Sequence, residues 1–146
     1  MSDITIVGRN FRLIPAGEYT AVYKHHETNC AAFGGKPKVY LNFLIVEPGL
    51  FGEEIYGAYN VKGLVGPPKK NGRFKLTRRQ DLTFQLANVL PDFRLDRVSL
   101  KPLIDKTVKV SVRSVVKDYK QRAIPPPLQY SVVDQILSIV DGAYHP

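Results

Sequence analysis

Alternation of apolar and polar side chains is the first order visible along the chain. From Gly17 the segment EYTAVYK follows the two-residue period of a half-buried strand, entered through a Pro15-Ala16-Gly17 turn, and predicts a first strand at 18–25. Residues 26–37, HETNCAAFGGKP, break that period with polar residues, Gly34-Gly35 and Pro37, and predict a loop. The run KVYLNFLIVE at 38–47 is β-branched and aromatic and stops at Pro48-Gly49. It is followed by EIYGAYNVKGL at 54–64, and the two runs predict a hairpin.

Past Gly63 the pattern changes. Pro67-Pro68 and Asn71-Gly72 preclude a regular element, and Thr77 with Gln80 three residues on is a capping-box pattern. Leu82, Leu86, Val89 and Leu90 then share one helical face before Pro91, predicting a helix over 78–90 that covers one end of a sheet. A short turn or helix at 99–104 leads into KTVKVSVRSVV at 106–116. There Val108, Val110 and Val112 alternate with Lys109, Ser111 and Arg113, as in a strand with a basic outer face. Residues 117–128 read as a basic, proline-closed loop, and QYSVVDQILSIV at 129–140 as a last strand.

The resulting order, β-β-β-α-β-β, predicts a mainly β fold: an OB-fold-like, five-stranded Greek-key barrel with one helix between strands three and four. The 146 residues suit a single domain spanning 1–146, with no repeat and no linker long enough to divide it. The opening IPAGEYTAVYK, the long second strand and the late LIDKTVKVSV also resemble OB-fold single-stranded-DNA-binding proteins of phages and other mobile elements. That resemblance runs over about residues 13–140. It implies a sequence-tolerant single-stranded-DNA binder acting in replication or recombination of such DNA. The chain has no Trp, and its ending DGAYHP lacks the acidic tail with which many bacterial single-strand binders recruit partners.

Charge agrees with a polyanionic partner. The net charge is +8, and the excess is regional: residues 62–79 carry Lys62, Lys69, Lys70, Arg73, Lys75, Arg78 and Arg79 without one acid. A solvated basic loop would have the same composition. No run approaches the ~18 apolar residues of a membrane span, and the N-terminus does not read as a secretory signal, so a cytoplasmic protein is expected. Cys30 is the only cysteine, which excludes an intrachain disulfide and a multi-cysteine zinc site, and His25, His26 and Cys30 lack metal-ligand spacing. No nucleophile elbow, phosphate loop, dinucleotide fingerprint or HExxH motif occurs, so neither an enzyme nor a cofactor is expected.

Placing Leu41, Phe43 and Ile45 inward turns Tyr40 and Asn42 outward. Placing Ile55, Tyr59 and Val61 inward leaves Tyr56, Asn60 and Lys62 outside. Tyrosine rings can stack on bases of any identity while cations hold the phosphates. Lys36 and Lys38 beside Phe33, and Lys117, Lys120 and Arg122 interleaved with Tyr119, extend that surface onto two loops. Lys69, Lys70 and Arg73 suggest a flexible arm tracking the backbone. Two other functions fit the same residues. One is a protein-interaction or assembly module, with which self-association is compatible; the other is an RNA binder, since discrimination depends on contacts to the 2′-OH.

Overall fold

The computed structural model describes residues 13–30, 35–118 and 120–140. Its strands are β1 (Gly17–Cys30), β2 (Pro37–Ile45), β3 (Glu54–Asn60), β4 (Gly63–Val65), β5 (Arg73–Lys75), β6 (Thr107–Val115) and β7 (Tyr130–Ile139). Among the described residues one α-helix, α1, spans Asp81–Val89, and 3-10 turns lie at Lys101–Leu103 and Pro126–Leu128. Five strands form one antiparallel sheet in the order β3-β2-β1-β6-β7, and β4 and β5 form a separate ribbon.

The predicted hairpin is present, and Leu41, Phe43, Ile45, Ile55, Tyr59 and Val61 all face the core. Val108, Val110 and Val112 join them from β6, and Leu82, Leu86 and Val89 from α1. Other expectations need correction. β1 runs on to Cys30, through residues expected to form a loop, because the register with β2 shifts between Tyr23 and His25. Lys24 is the extra residue. Before it Ala21 and Tyr23 point inward; after it His26 and Thr28 do, so the alternation changes parity in mid-strand. β7 carries two such shifts, which skip Asp134 and Leu137 and leave Val133, Ile136 and Ile139 paired with Val112, Val110 and Val108 of β6.

The segment expected to lack regular structure folds into β4 and β5, so α1 follows the fifth strand of the chain rather than the third. It also starts later than predicted. Thr77 and Gln80 make half of a capping box: the Thr77 N–H donates to Gln80 Oε1 at 2.9 Å, but Thr77 lies in a turn before the helix and Gln80 itself is the N-cap. No hydrogen-bonded ladder joins β3 to β7, so where a five-stranded, partly open Greek-key barrel is expected the strands form an open antiparallel sheet. Side chains bridge that gap instead. Gln85 of α1 uses one oxygen to accept the Tyr59 hydroxyl of β3 at 2.7 Å and the Ile136 N–H of β7 at 2.9 Å. The helix thus occupies a backbone donor that strand pairing would have used.

The basic segment 69–72 is not a free arm. β1 pairs with β6 only over Gly17–Val22, and beyond that its second edge is bare of strand. The Lys69–Gly72 turn fills it. Thr28 N–H donates to the Lys69 carbonyl at 3.1 Å, Asn71 N–H to the His26 carbonyl at 2.7 Å, and His26 N–H to Asn71 Oδ1 at 3.1 Å. Asn71 adopts φ 54°, a left-handed conformation that asparagine tolerates. Gly72 is required by space: a Cβ there would stand 2.5 Å from Thr28 Oγ1.

Candidate nucleic-acid interface

Outward residues of β1, β2 and β3 fall in cross-strand rows. Asn29, Lys38 and Asn60 form one, Glu27, Tyr40 and Ala58 the next, and His25, Asn42 and Tyr56 the third. Lys38 and Asn60 border an open cleft of about 670 Å³ at the start of β2 and the end of β3, with Lys36 and Lys62. Arg79 joins them from the turn before α1, so four cations line one cleft; Asp81 is the acid among its lining residues. Sequence reasoning counted Arg79 in the basic run without placing it here. Only the docking of α1 against β3 and β7 brings it to the strand ends.

The aromatic face departs from expectation. Tyr40 is half-buried, but Tyr56 is only 4% exposed and Asn42 7%, although both lie on the outward side. Tyr56 is covered because Tyr130 and Val132 of β7 come across the gap, and with Tyr40 and Val115 make a second apolar cluster outside the main core. The Tyr40 and Tyr56 rings are 5.8 Å apart and tilted, and Tyr56 stacks on Tyr130 at 6.4 Å with 17° between planes. Burial, followed by the neighbouring Tyr130, pushes the Tyr56 hydroxyl well above the ordinary tyrosine range. Tyr56 therefore supports the platform, while Tyr40 and Tyr130 are its partly open rings. Tyr130 could have been found from the sequence, since it opens the last strand with outward parity.

In the loop between β6 and β7, Lys117, Lys120 and Arg122 are exposed, and Tyr119 lies outside the described residues, as does Phe33. Arg122 is paired: its Nε donates to Asp118 Oδ2 at 2.9 Å, while Asp118 Oδ1 accepts the backbone N–H groups of Lys120 and Arg122, each at 2.9 Å. Those backbone bonds and the guanidinium hold the Asp118 carboxyl below its ordinary range. The loop is thus less cationic than its composition implied.

Lys69, Lys70 and Arg73 are exposed on the docked turn and β5. Beneath them His26 is fully engaged. Its Nε2–H donates to the Gly72 carbonyl at 2.6 Å, which leaves Nδ1 to accept the Tyr23 hydroxyl at 3.0 Å. His25, one residue earlier, pairs with Asn42 on the opposite face, so the two imidazoles do not converge. Among the described residues no group of three or more His, Cys, Asp or Glu side chains is placed to hold a metal ion, and no helix is long and apolar enough to cross a membrane. The chain matches no protein-family model, no curated protein and no solved structure.

Proposed function

We propose that this chain is a non-enzymatic, sequence-tolerant single-stranded-DNA-binding protein acting on replication or recombination intermediates of phage or mobile-element DNA. The proposed frame is a partly open OB-like barrel. Counted within the main sheet, the strand order is 3-2-1-4-5, the order obtained by unrolling such a barrel at the gap between its third and fifth strands. Packing of β3 against β7 at that gap supports the same assignment. In OB barrels the face of strands two and three receives the oligonucleotide.

The observation that carries the function is the cleft lined by Lys36, Lys38, Lys62 and Arg79, continuous through the Lys38–Asn60 row with Tyr40. Phosphates are held by the cations and a base by the ring, an arrangement that accepts any base and requires it unpaired.

The test is a titration of labelled single-stranded DNA, duplex DNA and RNA of equal length at several salt concentrations. Single strands should bind more tightly than duplex. Changing the four cations to Gln should flatten the log-log salt slope by roughly 3, at about 0.7 per phosphate contact on a single strand. Duplex binding as tight as single-strand binding, or an unchanged slope, would overturn the assignment; preference for RNA would move it to that polymer. Binding to protein that ignores salt would favour an assembly module instead.

A further inference from the structure

A second concavity of about 190 Å³ shares no lining residue with the cationic cleft. Tyr23 and His26 line it from β1, Phe74 from β5, and Leu100 and Ile104 from the segment before β6. His26 meets Phe74 edge to face, with ring centres 5.5 Å apart. Arg73 and Lys101 are the charged residues of the lining; both are exposed, and no described carboxylate forms an ion pair with either.

Size and chemistry restrict the occupant. An apolar cavity of about 150 Å³ takes up one benzene ring, and drug-sized ligands need upwards of about 300 Å³. This pocket has room for a single ring with a few further atoms. Its aromatic and aliphatic walls favour a flat group, and two cations without an acid in the lining favour one that carries negative charge. Asn71, also in the lining, accepts the His26 N–H at Oδ1 and so keeps its NH2 as a donor. A ring carbonyl is the matching acceptor.

We infer that this pocket binds one pyrimidine nucleotide, with the ring against His26, Phe74 and Ile104 and the phosphate between Arg73 and Lys101. The choice of a nucleotide among anionic rings rests on the single-strand-binding function proposed above. Two sources share this chemistry: a free pyrimidine monophosphate, and one base of a bound strand turned out of line.

The experiment follows the His26 ring protons by NMR while dTMP, dGMP or a short oligothymidylate is added to the full chain. dTMP, the oligothymidylate or both should move the His26 signals to saturation, and dGMP should bind about tenfold more weakly or worse, because its two fused rings exceed the space. Response to dTMP identifies a free nucleotide as sufficient; response to the oligothymidylate alone identifies a strand-borne base. The Arg73→Gln, Lys101→Gln double variant changes only exposed side chains and should weaken the response about tenfold or more. Silent His26 signals in both arms, or an unchanged response in the double variant, overturns the pocket assignment. Oligothymidylate binding that still depends on the four cleft cations would then leave the proposed function standing. Conversely, a His26 response without cleft-dependent binding would sink that function and keep the pocket.

Discussion

Gly57 of β3 faces the backbone of Val133 in β7: a Cβ built on the glycine would lie 3.1 Å from the Val133 carbonyl oxygen and 3.2 Å from the Val133 Cβ. The two strands approach here without a hydrogen-bonded ladder, so the contact depends on the missing side chain. Gly57→Ala should destabilise the fold by roughly 1–3 kcal/mol, as overpacking does. The urea midpoint checks this; an unchanged midpoint would mean the gap opens without cost.

The tyrosine face separates two roles by burial. Tyr56→Ala should cost on the order of 3–5 kcal/mol of stability, as large-to-small changes of buried aromatic residues do. Tyr40→Ala should leave the fold cooperative and weaken single-strand binding by about 1–3 kcal/mol, the range for one stacked base. Thermal melts alongside binding isotherms decide between them. If Tyr56→Ala melts like the parent, the ring is not the support described.

Asp118→Asn removes the charge that engages Arg122 while keeping one amide oxygen for the loop's backbone N–H groups. Arg122 is then free to meet a phosphate, and the single-strand salt slope should steepen by up to about 0.7. A slope that stays put would show that the β6–β7 loop does not touch the strand.

Burial, opposed by the hydrogen bond to Gly72 and reinforced by His25, lowers the His26 pKa below its ordinary value. The sign follows from the neutral ring being the folded form. Its stabilisation is complete above the ordinary histidine pKa of about 6.5 and is lost as pH falls through the lower folded value. In denaturation series from about pH 7 to about pH 5, the stability advantage of the wild type over His26→Gln should shrink toward acid. A constant difference would contradict the assignment.

What the sequence made legible follows from how far each signal is local. Strict alternation located the β2–β3 hairpin and β6, and a one-sided apolar stripe with Pro91 located α1. β1 was read five residues short because a bulge at Lys24 reverses parity, so a continuing strand looks like its end. The ribbon of β4 and β5 was missed because three-residue strands carry too little pattern beside prolines and an Asn-Gly pair. For the site, alternation assigned the outward face of Tyr56 and Asn42 correctly. The burial of Tyr56 comes from β7, more than seventy residues away in sequence, and no local pattern encodes that cover.

The turn that fills the second edge of β1 also bears on how copies of this protein meet. A 14-residue strand with half of one edge unpaired presents a row of donors and acceptors able to recruit a strand from a neighbouring molecule. Tyr23 is occupied at both backbone groups by Asp105 and Lys106, His26 by Asn71, and Thr28 by Lys69. An approaching copy therefore finds this hydrogen-bonding template already taken, with the exposed cations Lys69, Lys70 and Arg73 beside it. The turn that carries Lys69 and Lys70 on the surface thereby closes one edge along which copies of this chain could stack strand on strand.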